Sequence, residues 1–264
     1  MENEALIRMT VFLGLFCLFA AFETWAPRRD RSQTRGARWT TNWAISIVNT
    51  AAMYALAIGL PLLAVGAAYD AGVNGWGLFN VVGLPLWLEV VAAILILDFA
   101  IWLQHLITHK VPLLWRLHQV HHADVDIDVT TAIRFHPVEI ALSMLLKIGL
   151  VYLLGPAAIA VILFEIILNG TAMFNHANIK LPLWLDAVVR RVLVTPDMHR
   201  VHHSVHRAEH DSNYGFALSI WDQMFGTYIP QPKEGHDEMK IGLRWQDERP
   251  SKLGWSLALP FRNK

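Results

Sequence analysis

Four apolar stretches limit what this chain can fold into. They run from about Ala5 to Trp25, Trp43 to Ala68, Val82 to Trp102 and Val138 to Phe174. A helix needs about 20 apolar residues to cross the hydrocarbon core and satisfies its own backbone there. The first three stretches meet that length. The fourth exceeds it, and Gly155-Pro156 divides it, which predicts a hairpin of two helices of about 17 to 19 residues each. The first stretch starts with Glu2, Glu4 and a single Arg8 rather than a basic region, so it is expected to be a retained membrane helix and not a signal peptide. Hydrophobic residues make up 54% of the 264, and mean hydropathy is +0.35, high for a soluble domain. The expected fold is all-α: an integral membrane helical bundle of about three spans plus a helical hairpin, with a histidine-rich helical cap on the cytoplasmic side.

The sidedness comes from arginine. Arg28, Arg29, Arg31, Arg35 and Arg38 lie between the first two stretches, whereas residues 69–81 contain no Lys or Arg. The positive-inside rule makes the arginine loop cytoplasmic, and Trp25, Trp39 and Trp43 bracket it at interfacial depth. Counting spans onward places the end of the third span and the exit of the hairpin on that same side. Net charge is zero and no other long basic run exists, which argues against a nucleic-acid partner. The only cysteine, Cys17, lies within the first stretch, so neither a disulfide framework nor a thiolate metal site is available.

Eight of the thirteen histidines fall into three boxes: His105 and His109; His118, His121 and His122; and His199, His202 and His203. Spacings of three and four residues put imidazoles on one helical face, which suits a shared metal. Pro112 can open the helix of the second box. For the third, Thr195 can cap, Pro196 suits the first turn and Asp197 complements the dipole. Eight imidazoles are too many for one tetrahedral zinc and suit two metals, although imidazole alone does not select iron over zinc, copper or nickel. His176 lies where the hairpin re-emerges, at the right depth to join the boxes. His136 and His206 are possible additional ligands, while His210 and His236 are expected to face water. Asp98 lies about two turns before His105 and could orient a liganding imidazole. Asp211 and Asn213 offer further supporting groups, the alternative being a plain Asx-type turn. Glu165 and Asn169 sit at membrane depth, where they could touch substrate or pack between helices.

The three boxes in order, Arg134-Phe135-His136-Pro137-Val138-Glu139, Asn175-His176-Ala177-Asn178 and Asp211-Ser212-Asn213-Tyr214-Gly215 together resemble the fatty acid hydroxylase / sterol desaturase superfamily over roughly Leu84 to Tyr228. That resemblance implies a membrane-bound non-haem di-iron oxidoreductase that uses dioxygen to hydroxylate or desaturate a lipid such as a sterol, fatty acyl chain or ether lipid. It implies His105, His109, His118, His121, His122, His176, His199, His202 and His203 as ligands of two Fe. It also divides the chain into N-terminal helices (1–81), a fatty acid hydroxylase-like catalytic domain (82–230) and a C-terminal tail (231–264). Two positions depart from the pattern: Leu106 stands where many members have arginine, and Ala172 where some have a further histidine. A tenth partner is open, with water, His136 or His206 able to fill it.

The lipid substrate is expected to enter from the bilayer along the third span and the hairpin. Electrons must come from an external reductase or ferredoxin-like donor, because the sequence carries no Rossmann glycines, haem-attachment motif or cysteine cluster. A membrane zinc- or copper-binding or transport protein is the alternative, and it predicts ligands spread along the spans. A zinc hydrolase would need a catalytic carboxylate or nucleophile, and no His-Glu-x-x-His occurs.

Overall fold

The computed structural model describes residues 4–59 and 63–262. The principal helices are α1 (Glu4–Trp25), α2 (Arg35–Gly59), α3 (Ala64–Asn74), α4 (Leu78–Val82), α5 (Leu86–Lys110), α6 (Pro112–His122), α7 (Pro137–Leu154), α8 (Ala158–His176), α9 (Leu183–Val189) and α10 (Pro196–His202). Among the described residues there is no strand, only isolated bridges such as Pro27 with Ile179. Among the described residues, four helices, α1, α5, α7 and α8, are long and apolar enough to cross a membrane.

The second expected span, 43–68, is not one helix. Helix α2 stops at Gly59 and α3 starts at Ala64, with 60–62 outside the described residues. The sequence Gly59-Leu60-Pro61 carries a helix-stop signal that the apolar residues around it concealed. Helix α2 is also more polar than a span, because Arg38, Asn42 and Asn49 are buried on its inner side.

Helix α5 shows how composition becomes packing. Its buried positions Ala93, Leu97, Ile101, His105 and His109 recur every four residues, so one stripe faces inward. That stripe packs against Ala160 and Phe164 of α8 and Leu154 of α7, while Leu88, Val91, Leu95 and Leu103 remain exposed as a lipid-facing surface requires. Helix α1 joins through Phe16, whose ring meets Trp39 and Trp43 of α2 edge-on at 5.6 and 5.0 Å.

At the hairpin turn, backbones come very close. A Cβ on Gly77 would stand 2.3 Å from the Gly155 nitrogen, and both glycines have positive φ (95° and 63°), so neither position admits a side chain. The Glu89 carboxylate accepts from the Ala157 N–H at 2.5 Å at the start of α8, and Tyr152 donates to Asp70 at 2.8 Å.

The opposite end is tied by ions. Glu23, at the end of α1, accepts from the backbone of Val129 (2.7 Å) and Asn178 (2.8 Å). Arg38 is buried and bidentate on Asp124 (2.7 and 2.8 Å), with a third bond to Asp128 at 2.6 Å. Arg134 donates to Val120 O, Asn42 and Pro250 O, which pins α6, α2 and the C-terminal segment together. The arginine loop is therefore a staple as well as a charge signal: Arg28 pairs with Asp197 at 3.3 Å, and Arg31 and Arg35 pair with Glu23 at 3.6 and 3.5 Å.

Candidate metal centre

Four helices deliver histidines to this ionic end. His105 and His109 close α5, and His176 closes α8. Helix α6 opens at Pro112 and carries His118, His121 and His122. Helix α10 opens with Thr195, whose hydroxyl accepts from Met198 N at 3.3 Å; His199 and His202 follow, with His203 at the C-cap. A helix turns about 100° per residue, so His121 and His122 diverge, as do His202 and His203. Each His-x-x-His-His box can therefore feed two places.

Two groups result. His105, His109, His118, His122 and His202 form one; His121, His176, His199 and His203 form the other, with ring nitrogens all within 4.8 Å inside each group. All nine rings are buried.

The hydrogen bonds orient many of these lone pairs inward. Nδ1 of His105 donates to Tyr214 O (2.7 Å), of His202 to Ser212 O (2.6 Å), of His176 to Ala172 O (2.7 Å), of His121 to Arg134 O (3.3 Å) and of His118 to Glu139 (2.6 Å). Each such bond assigns the proton to Nδ1 and leaves Nε2 bare. Bare Nε2 then faces bare Nε2 at 3.0 Å for His105 and His118 and at 3.1 Å for His121 and His176, and Nε2 of His199, whose Nδ1 has no partner, also lies 3.1 Å from His176 Nε2. Facing lone pairs at that separation repel unless a cation lies between them. Two nitrogens about 2.0–2.1 Å from a cation and about 90° apart would show this spacing. Both ring nitrogens of His109, His122 and His203, and Nε2 of His202, are buried without a hydrogen-bond partner. Such orphans are costly in a protein interior unless something binds them. Burial, then the neighbouring imidazoles, holds His121, His122, His199, His202 and His203 well below the usual histidine pKa, so they are neutral donors. Both groups fit a bound metal ion.

The nine histidines expected from the sequence are the nine brought together. His136 and His206 are in neither group. His136 instead caps α7, accepting from Val138 N at 3.2 Å, and His206 is half-exposed beside Glu234 at 3.3 Å. His210 and His236, expected to face water, are buried: His210 stacks on Trp115, and His236 lies 3.6 Å from Asp197.

Asp98 does not orient His105. Two turns put about 10 Å between their Cα atoms, and the Asp98 carboxylate instead accepts from Trp221 Nε1 (2.8 Å) and Leu218 N (3.3 Å). Asp211 lies 3.5 Å from His109 Nδ1 and 3.0 Å from Lys110. The Asn213 side chain hydrogen-bonds Met198 O and Ile229 O and, at φ 50°, shapes a turn whose carbonyls, Ser212 O and Tyr214 O, do the orienting. Glu139 is a functional residue that its local sequence does not reveal: it ends Arg134-Phe135-His136-Pro137-Val138-Glu139, and its partner His118 is 21 residues away.

A cavity of about 370 Å³ reaches the centre from the membrane helices. His105, His118 and Glu139 line one end, and Arg8, Lys147, Glu165 and Asn169 line it too, at the depth of the spans. Glu165 takes Lys147 at 2.9 Å and also bonds Arg8, and Asn169 donates to Glu165 O at 2.7 Å.

The fatty acid hydroxylase family model matches residues 90–227. The chain is similar to the ornithine lipid hydroxylase of Rhizobium tropici, 27% identical over 236 residues that cover 88% of this chain and 70% of that protein. It is similar to the alkylglycerol monooxygenase of Xenopus tropicalis, 31% identical over 170 residues, 60% of this chain but only 35% of that protein. A cholesterol 25-hydroxylase-like protein of Danio rerio is 27% identical over 235 residues, 84% of this chain and 88% of that protein. No solved structure matches.

Proposed function

Because this chain belongs to the fatty acid hydroxylase family, we propose that it is a multi-pass membrane enzyme using dioxygen to hydroxylate a lipid, with two irons held by the nine clustered histidines. The observation that carries this is the pair of buried histidine groups at the end of a cavity walled by membrane helices. Iron bound there would supply the oxidant, drawn from dioxygen, that an unactivated C–H bond demands. The overall balance is R–H + O2 + 2 e⁻ + 2 H⁺ giving R–OH + H2O.

The chain's own residues hold and shield. Tyr214 O, Ser212 O, Ala172 O, Arg134 O and Glu139 fix the imidazoles, so little reorganisation is needed when metal binds. Ile101, Met144 and Leu168 give the cavity apolar walls for a lipid chain, while Gln104, Ser143 and Asn169 give it polar contacts. Relatives named for ornithine lipid and alkylglycerol support an amphiphile as substrate, entering between α5 and the α7–α8 hairpin. On this proposal residues 82–230 form the catalytic domain, 1–81 complete its membrane wall and 231–264 form a tail packed against it. The arginine loop supports a cytoplasmic position for the centre, and an external donor provides the electrons. Metal transport is disfavoured, since the histidines gather at one depth instead of forming a relay along the spans.

The test compares lipid extracts of cells with and without the gene by mass. A lipid species gaining one oxygen atom only where the protein is present is the expected result. An unchanged lipid profile with iron-loaded protein in the membrane contradicts it.

A further inference from the structure

A second concavity, about 450 Å³, meets the centre from outside the membrane helices. Helix α6, the segment after α10 and the C-terminal residues build it. His109 reaches it, and its lining carries five cations, Lys110, Arg116, Arg207, Arg244 and Arg262, against one carboxylate, Asp211. That carboxylate is already engaged by Lys110 (3.0 Å) and Arg207 (3.5 Å). The groove is therefore strongly positive.

Its floor is aromatic. Trp115 stacks on His210 and also meets the rings of His109 and His122 at 4.7 and 5.3 Å. One indole thus touches two histidines of the five-membered group and the groove at once. Arg244 lies over Trp245 at 4.7 Å on the rim.

We infer that this groove is where an acidic one-electron carrier protein docks and passes electrons to the centre. The inference rests on the oxygenase reading above, whose balance draws two electrons from outside; the carrier loses one in each of two encounters per turnover. Positive charge around a redox centre raises the encounter rate with an acidic partner. The contact of Trp115 with two ligand-position histidines favours such a carrier over an anionic membrane surface, which gains nothing from closeness to them. The cavity on the membrane side offers the lipid a separate entrance.

The test uses the full-length, iron-loaded protein and an Arg244→Glu/Arg262→Glu double variant. Both side chains are exposed, lie against Trp245 and Trp255, and neither is in the metal or substrate machinery. Reduced plant-type [2Fe–2S] ferredoxin is mixed anaerobically with each, and its oxidation is followed by absorbance; oxidised ferredoxin binding is measured separately, with and without metal. At low salt the variant should oxidise and bind ferredoxin at least about tenfold more weakly than wild type. The gap should close toward 1 M salt, where screening acts within about 3 Å. Dithionite should reduce both proteins equally. Equal ferredoxin rates and affinities overturn the inference, as does a variant that loses binding only to phosphatidylserine vesicles. A wild-type centre that dithionite cannot reduce overturns the oxygenase reading, and this inference with it.

Discussion

The two histidine groups share one ligand chemistry and differ in what stands behind it. The five-membered group adds carboxylates to its carbonyl partners Tyr214 O and Ser212 O, with Glu139 on His118 at 2.6 Å and Asp211 near His109 at 3.5 Å, and its members line both the membrane-side cavity and the basic groove. The four-membered group is supported by backbone carbonyls, Arg134 O and Ala172 O, and by the Phe135 ring stacked 4.3 Å from His121; none of its members lines either concavity. Next to it in sequence and space lies the buried network of Arg38, Asp124, Asp128 and Arg134. Both kinds of partner orient a ring and raise its basicity, and the carboxylate alone adds negative charge that compensates a cation. On the proposed function, the five-membered group is the one that meets substrate and donor, and the four-membered group is the enclosed anchor.

Breaking the enclosed group should do the most damage. His121→Ala should abolish lipid oxidation, beyond the roughly 10–100-fold that outer partners contribute, and lower iron per chain in elemental analysis. If the variant keeps full iron and activity, the two-group assignment fails. Next, Arg38→Met strands two buried carboxylates and should cost about 3–5 kcal/mol in thermal or denaturant unfolding. A melting curve overlaying wild type would show that the network does not brace the centre. Glu139→Gln sharpens the comparison from the other side: metal affinity should fall about 10–100-fold at the five-membered group alone, so chelator titration should become biphasic. A uniform weakening of both metals would erase the distinction drawn above. The smallest effects belong to the histidines outside both groups. His136→Ala should lose an N-cap worth about 1 kcal/mol and His206→Ala should stay within about 0.5 kcal/mol, both with full iron.

The sequence made the centre's histidines legible because their spacing is local: three and four residues set a helical face whatever surrounds it. The hairpin was legible for the same reason, Gly155-Pro156 being a local stop. What failed was non-local or graded. Helical phase puts Asp98 on the stripe of His105, but phase fixes a direction and not a reach, and Trp221, in the short helix Ile220–Met224, takes that carboxylate instead. Glu139 was missed because its bond to His118 crosses from α7 to α6. The Asp211–Gly215 turn was noticed for its side chains, whereas its carbonyls orient His105 and His202, and carbonyls leave no mark on a sequence. The buried Arg38 shows that an arginine read for sidedness has a structural place in the fold, on Asp124 and Asp128.

A dinuclear, all-imidazole iron centre must show itself in the metal content of the protein purified from membranes. About two irons per chain, reduced to fewer by His121→Ala and unaffected by His206→Ala, is the predicted result. One tightly held zinc per chain, with no iron and no change on replacing His121, would contradict it.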